Sequence, residues 1–393
     1  MSAGVSARTT ARSGRRRSTP PSPREAAREA VVRALGARAR DGAPEVRQAV
    51  ASVLGEVGGP AALAGLAPLL ADRSDRVRRA AVLALGQATG PTPRELARIR
   101  RFLADPAPRV RAAAAVVLGR RRDRASVPAL LARLRAPGTW EKPSVAVALG
   151  RIGDRRAVAE LLVLAAHPAR WLRVCAVHAL GEIGAPPARP TVRTALADPA
   201  WSVRGAAATA LATLGTPRDV PRLLELLEDP HPWPRRGAVY ALGRLHRRDA
   251  AGPIRRALRD PAPDVRVAAC WALGELGDRT ARRPIARFLS TCPPPGSSEP
   301  SPAAAVDDRL PPTGASGLQF ETAVAALARL GCTRPDAEVE RALAHAERRL
   351  RPEALDRTAA PVFPGAAPGL RPTTLRELFR AARAVPAPTG GRR

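Results

Sequence analysis

The stretch DPAPDVRVAACWALG, residues 260 to 274, follows a plan that DPAPRVRAAAAVVLG at 105 to 119 and DPAWSVRGAAATALA at 198 to 212 repeat. Each opens on Asp-Pro and a short turn, runs through Val-Arg into an alanine-rich stretch, and closes on Leu followed by Gly or Ala. Counted on that closing residue, the plan recurs at Gly55, Gly86, Gly119, Gly150, Gly181, Ala212, Gly243 and Gly274, at intervals of 31, 33, 31, 31, 31, 31 and 31 residues. Self-similarity at a fixed period signals a stacked array of small units rather than one compact core.

Within a unit, a first helix such as 127–134 or 220–227 spaces its leucines three and four apart and ends before Asp-Pro, where proline halts helical propagation. A second helix then lines up Val110, Ala114 and Leu118, or Val203, Ala207 and Leu211, as one apolar stripe. About 31 residues cannot sustain a core alone, so neighbouring pairs must stack to bury their faces. The expected fold is all-α, a right-handed α-solenoid of about ten helical hairpins. Aromatics at 3% leave little material for strands.

The pattern DP-x-x-x-V-R-x-A-A-x-x-A-L-G-x-I/L-G resembles the short HEAT-like repeats of the phycobilisome-lyase type, over roughly residues 24 to 290. The resemblance implies a helical-repeat scaffold and is specific for fold rather than function. Past Leu289 the rhythm breaks into STCPPPGSSEPSPAAAVDDRLPPTGAS, and FETAVAALARLG at 320 to 331 then restores the second-helix plan. Ala328 stands 54 residues after Gly274, so 23 residues have been inserted within one repeat (54 minus 31). The expected organisation is a disordered basic arm at 1–23, a repeat solenoid at 24–289, and a Pro/Ser-rich disordered insertion at 290–316. C-terminal repeats with a terminal helix at 373–384 follow over 317–384, and a loose tail over 385–393.

Of 65 basic residues only Lys142 is a lysine, and 35 acidic ones leave a net charge of +30, which favours association with nucleic acid, anionic surfaces or acidic proteins. Arg8, Arg12, Arg15, Arg16 and Arg17 crowd the amino terminus, but no apolar segment of signal-peptide or membrane-spanning kind follows. Cys175, Cys270, Cys292 and Cys332 show no metal or disulfide spacing. The expectation is a soluble, cytoplasmic, monomeric protein.

Stacking turns each repeat position into a column. Eight residues before the anchor stand Arg47, Arg78, Arg111, Lys142, Arg173, Arg204, Arg235 and Arg266; fourteen before it stand Asp41, Asp72, Asp105, Ala136, His167, Asp198, Asp229 and Asp260. The family resemblance implies that Asp and Arg pair within and between repeats, with Asp also capping the second helix's amides. Ala136 and His167 interrupt the Asp column, so Lys142 and Arg173 are expected to lack partners.

Trp140, Trp171 and Trp233 share the column ten before the anchor, and Trp201 precedes it by one. Two roles fit: wedges between repeats, or an aromatic ridge that stacks bases, grips a peptide or recognises a cation. Catalytic signals are weak. Deoxyhypusine hydroxylases share such repeats and hold iron through His-Glu motifs, but this chain has no His-Glu dipeptide; His178 and Glu182 are a lone pair. Bilin lyases offer no residue to carry over. HEAT-like DNA glycosylases share only a basic balance and tryptophans, with Glu141 the one acid beside the column.

The reading is a non-enzymatic scaffold, with no catalytic, cofactor or metal residues, that binds a macromolecule, a protein before a nucleic acid. Its expected contact region is Trp140, Lys142, Trp171, Arg173, Trp201 and Trp233, and its structural ladder is Asp72, Arg78, Asp105, Arg111, Asp198, Arg204, Asp229, Arg235, Asp260 and Arg266. A nucleic-acid binder is the first alternative and a lyase or hydroxylase the second.

Overall fold

The computed structural model describes residues 23–87, 92–138, 140–292, 316–330 and 336–348, together with positions 377, 380, 382 and 383. The expected arm up to residue 22, the core of the expected insertion at 293–315, most of the expected terminal helix and the tail lie outside the described residues. Two compact units divide the chain, residues 1–114 and 115–393.

The first unit contains α1 (Pro23–Arg38), α2 (Pro44–Val57), α3 (Gly59–Leu69), α4 (Asp75–Gln87) and α5 (Pro93–Arg101), and the division falls within α6 (Pro108–Arg120). The second unit continues with α7 (Val127–Arg135), α8 (Lys142–Ile152), α9 (Val158–Ala165), α10 (Arg170–Ile183), α11 (Arg189–Ala195) and α12 (Trp201–Leu214). It goes on with α13 (Val220–Glu225), α14 (Pro232–Arg244), α15 (Ala251–Arg256), α16 (Pro263–Leu276), α17 (Arg282–Thr291), α18 (Ser316–Leu330) and α19 (Ala337–Arg348). The fold is an all-α solenoid: odd-numbered helices up to α17 open a hairpin, even-numbered ones close it, and second helices pack on second helices along each unit. No strand occurs among the described residues, and none of their helices is long and apolar enough to cross a membrane.

Asp-Pro ends the first helices as the sequence demands. In three repeats the last turn tightens into 3₁₀ geometry, and the aspartate before proline swings to an extended ψ of 141° at Asp105, 137° at Asp229 and 140° at Asp260. Leucines then bury both faces of the hairpin. Leu130 and Leu161 from first helices and Leu149, Leu180 and Leu211 from second helices are fully covered, each contributing roughly 1.5–3 kcal/mol of apolar burial.

The anchor glycine has a direct physical reason. A Cβ added at Gly55, Gly119, Gly150, Gly181 or Gly243 would stand within 2.6 to 2.8 Å of an alanine in the next second helix, respectively Ala84, Ala148, Ala179, Ala210 and Ala272. That alanine always lies two residues before the next anchor, so glycine against alanine sets how closely successive helices approach. Gly274 faces Ala326 of α18 in the same relation, two residues before Ala328, and α16 packs directly on α18. The stacking register therefore resumes across the long segment between α17 and α18.

Three residues after the anchor several second helices end in left-handed backbone, whereas Gly215 after α12 is extended at φ −65°. Gly153, Gly184 and Gly277 supply the left-handed end with φ of 73°, 66° and 67°, but Arg122 and His246 hold the same column at φ 50°.

Candidate functional site

The second helices carry their chemistry at their amino-terminal turns, where the Asp-Pro turn fixes the entry of the chain. Five of the ladder arginines reach forward to the next repeat. Arg47 binds Asp72 through Nε and Nη2 at 2.6 and 2.9 Å, Arg78 binds Asp105 at 2.9 and 2.9 Å, and Arg173 binds Asp198 at 2.8 and 2.9 Å. Arg204 to Asp229 and Arg235 to Asp260 repeat this two-pronged geometry. The remaining Nη1 turns back to its own repeat: Arg204 donates to the carbonyls of Asp198 and Pro199 at 2.9 and 3.1 Å. One guanidinium thus joins the turn of its own hairpin to the turn of the next.

The aspartates do not cap the second helices as expected. Their Oδ1 accepts the amide two residues on, that of Ala107, Ala200, His231 or Ala262, and so shapes the turn before the helix begins. The short aspartate side chain, held extended by the following proline, reaches the nearest amide rather than one a turn further. Burial pushes Asp105, Asp198 and Asp229 up, but the arginine and the backbone amide together outweigh it and leave each below the usual carboxylate range.

Arg173 is not left unpaired. Because the ladder runs forward, an interruption in the Asp column affects the cation of the preceding repeat. Arg111 donates to the carbonyls of Asp105 and Pro106, the same contact with its own turn that the other ladder arginines make. His167 stands ahead of Lys142, which makes no ion pair among the described residues. His167 preserves the turn by another route, its Nδ1 accepting the Ala169 amide at 3.0 Å. At the far end Arg266 donates to the Asp260 and Pro261 carbonyls and stacks its guanidinium 5.7 Å from the centre of the Phe288 ring.

The break in the ladder adjoins the tryptophans. Trp140, Trp171 and Trp201 are 55%, 43% and 38% exposed, in three consecutive repeats. Trp201 stacks on His231 with centroids 3.7 Å apart and planes within 10°, and lies 5.5 Å from Trp233 at 43°. Burial lowers the pKa of His231, and its Nδ1 accepts the Trp233 amide, so the neutral ring presents its flat face to Trp201. Trp233 takes the other expected role: a Cβ on Gly205 would meet its Cδ1 at 2.5 Å, so the indole lies against the backbone of α12. The column is part ridge and part wedge, and the absence of a side chain at Gly205 decides which.

Glu141 is buried and forms an ion pair with Arg133, which ties it to the first helix of its own hairpin. His178 Nδ1 lies 3.8 Å from Glu182. Among the described residues no group of three metal-binding side chains converges, and Cys175, Cys270 and Cys292 form no disulfide with one another.

Sequence columns missed a second feature of the same helices. Trp233, Arg236, Tyr240 and Arg244 follow one another down one face of α14, three or four residues apart. Tyr240 packs on Trp271 of α16 with centroids 4.8 Å apart, and Asp264 at the start of α16 carries a carboxyl whose pKa burial raises. The column seven before the anchor, read across repeats, would have shown Arg236 standing between Gly205 and Val267.

Comparison with known proteins follows this geometry. The family model for HEAT repeats matches residues 32–106, 65–147, 96–174, 140–212, 161–243 and 220–296. No curated protein sequence matches the chain. Among solved structures, the complex of CpcE and CpcF of phycocyanin lyase from Nostoc sp. PCC7120 is 21% identical, covers 67% of this chain and 97% of its own, with a TM-score of 0.44. Human deoxyhypusine hydroxylase is 21% identical over 65% of this chain and 98% of its own, with a TM-score of 0.31. A Kap95p structure with RanGDP is 14% identical over 90% of this chain and 51% of its own, with a TM-score of 0.47.

Proposed function

We propose that this chain, which belongs to the HEAT-repeat family, is a non-enzymatic scaffold that grips a protein partner through the aromatic ridge of its second unit. The observation that carries this reading is the exposure of Trp140, Trp171 and Trp201 in three successive repeats, beside Lys142, which makes no ion pair among the described residues. Large indoles left in water cost apolar burial that a partner recovers, and Trp and Arg are where interface energy concentrates. Arg173, held by Asp198, contributes rigidity rather than a free charge, and Trp233 supports the ridge from beneath.

The test compares the wild type with Trp140→Ala/Trp171→Ala in affinity capture from the host. Both residues are exposed, so far-UV circular dichroism and melting should not change. Lys142 is the sole lysine, so an amine-reactive probe reports on the ridge and otherwise only on the chain's α-amino group. We expect a protein that protects Lys142 from labelling and is lost with the two indoles. Capture that survives the double substitution removes the ridge from the interface.

A second reading rests on its own observation. In the first unit the second helices present Arg76, Arg79 and Arg109, all exposed and none in an ion pair among the described residues, which suits a phosphate backbone. Binding of a labelled duplex across salt should then fall steeply, and replacing the three arginines by Gln should flatten the slope by about 0.9 per lost contact. A flat salt response rules that reading out.

A further inference from the structure

The turns that follow α6 and α8 hold a run of cations that the fold itself does not use. The segment RRRDR at 120 to 124 supplies Arg120, Arg122 and Arg124, and the corresponding turn of the next repeat adds Arg151 and Arg155. Four of them are exposed and Arg151 is half-buried. None of the five guanidinium groups makes a hydrogen bond or an ion pair with a described residue, whereas Arg173, Arg204 and Arg235 of the ladder are each held by an aspartate.

Stacking brings the five together. A Cβ on Gly119 would lie 2.6 Å from the Cα of Ala148, so α6 and α8 touch at the residue before Arg120. Arg120 and Arg151 each follow their anchor by one residue, and Arg124 and Arg155 by five, so the same register sets them side by side as two pairs. The acids nearby are already engaged. Asp154 is held at about 2, first by the hydrogen bond from Arg156, which it meets through both oxygens at 3.0 and 2.8 Å. Asp123 is buried, and Glu182 borders the group from the following repeat.

Two features show that these arginines are not there for the backbone. Arg122 ends α6 at φ 50°, where Gly153 and Gly184 end the next two second helices at 73° and 66°. The helix closes through main-chain bonds alone, the Arg122 amide to Gly119 and the Asp123 amide to Leu118, both at 3.0 Å. A side chain in left-handed backbone is strained, and this one adds only a charge between Arg120 and Arg124. Arg124 and Arg155, in turn, open the 3₁₀ turns that lead into α7 and α9. That is the end of a helical segment where the backbone itself favours an anion and a cation gains nothing.

The chemistry selects the partner. Protein interfaces draw their energy from aromatic and apolar anchors, and the large hydrophobic side chains exposed in the repeats of α8 to α12 are Trp140, Val163, Trp171 and Trp201, none of them in these turns. Guanidinium forks match phosphate oxygens in pairs, and helices packed roughly 8–10 Å apart offer them in succession. Such a row suits a chain of phosphates better than one small anion.

We propose that Arg120, Arg122, Arg124, Arg151 and Arg155 form a contact for the phosphate backbone of a nucleic acid, at the opposite end of α8 from Trp140. The 11 residues of α8 separate the two by about 15 Å, so either can be filled without the other. The assignment goes beyond the protein-scaffold reading and rests on other residues than Arg76, Arg79 and Arg109.

The test is fluorescence anisotropy of the full chain with a short labelled DNA duplex, across about 50 to 200 mM salt. If each arginine holds one phosphate, Arg122→Gln/Arg124→Gln/Arg155→Gln should flatten the slope of log affinity against log salt by about 2.7. Over that range the wild type should then lose about 40-fold more affinity than the variant. The control, Arg222→Gln/Arg247→Gln/Arg283→Gln, removes the same net charge from arginines that already face Glu225, Asp249 and Asp336, and should change the slope by less than about 1. Arg122→Gly separates binding from folding: it should melt higher than the wild type and still flatten the slope by about 0.9. A structural role for that side chain predicts a lower melt instead. No flattening by the triple variant, or equal flattening by the control, overturns the proposal. A poly-glutamate peptide that binds as tightly as the duplex through the same three arginines overturns it too, in favour of an acidic protein. Flattening by Arg76→Gln/Arg79→Gln/Arg109→Gln alone removes this contact and leaves the first-unit reading standing. Trp140→Ala/Trp171→Ala should leave the slope unchanged, so failure of the ridge would not touch this result.

Discussion

Replacing Arg204 by Met removes one rung of the ladder and nothing else of its size. The guanidinium holds Asp229 by bonds of 2.7 and 3.0 Å and the Asp198 and Pro199 carbonyls by 2.9 and 3.1 Å. The two side chains are 18% and 8% exposed, so the pair is largely screened from water. Removing one partner of such a pair strands a buried carboxylate that keeps only the His231 amide. Hydrogen bonds to charged groups contribute about 1.5–3 kcal/mol each, and a broken buried pair costs about 3–5 kcal/mol; with partial water access we expect about 3 kcal/mol. Removing the charge on both sides, as Arg204→Met/Asp229→Asn, should cost clearly less than the sum of the two single substitutions. The control is Arg222→Met, whose pair with Glu225 is 73% and 59% exposed and is worth about 0–0.5 kcal/mol. Urea titration followed at 222 nm measures all four variants, and hydrogen exchange should place the loss at the step from α12 to α14. If Arg204→Met costs no more than Arg222→Met, the ladder is ornamental and the forward pairing does not hold the hairpins together.

The anchor column predicts a steric order: Gly181→Ala sets a Cβ 2.6 Å from that of Ala210 and should cost about 1 kcal/mol after helix propensity offsets part of the clash, while Gly181→Val should cost about 3 kcal/mol or more. Thermal melts that rank the two the other way would show that the helices separate freely. At the left-handed helix ends, His246→Gly and Arg122→Gly should each raise stability by about 0.5–1 kcal/mol, since both side chains are exposed at φ 50°; no gain in denaturant midpoint would show that those side chains hold the turn. Acid should unfold the array through the ladder: Asp72, Asp105, Asp198 and Asp229 all lie below their ordinary value when folded, so their stabilisation is complete above about pH 4 and is lost as pH falls through the lowered folded values. Arg204→Met should lose less on acidification than the wild type, and an equal loss would place the acid sensitivity elsewhere.

Columns of sequence revealed the hairpins because every repeat solves the same packing problem with the same residues: Gly against Ala, Asp before Pro, Val and Leu inward. Even the register beyond the inserted segment was legible, since Ala326 meets Gly274 as its sequence position requires. Direction was not legible. Both an Arg reaching its own repeat's Asp and one reaching the next are compatible with the spacing, and only the stacking of turns shows that Arg173 owns Asp198 while Lys142 faces His167. Nor could sequence separate an exposed indole from a wedged one. Trp171 and Trp233 hold the same column, and their difference arises in a neighbouring helix, at Gly205, where the missing side chain gives one of them a bed.

The charge of the chain then has a different meaning in each unit. A net charge of +30 suggests a polyanion partner, but the ladder places a carboxylate against the guanidinium of Arg47, Arg78, Arg173, Arg204 and Arg235, so those charges are internal mortar. What remains on the second helices is unequal. The column that reads Glu45, Arg76 and Arg109 in the first unit reads Trp140, Trp171, Ser202, Trp233 and Asp264 in the second. Equivalent positions thus carry arginine in one unit and exposed tryptophan in the other. The proposed readings can be separated by variants at exposed positions: Arg76→Gln/Arg79→Gln/Arg109→Gln should act on salt-dependent duplex binding and spare partner capture, while Trp140→Ala/Trp171→Ala should act on capture and spare the duplex. Net charge alone, which sums over both surfaces and the ladder, cannot assign a partner to either.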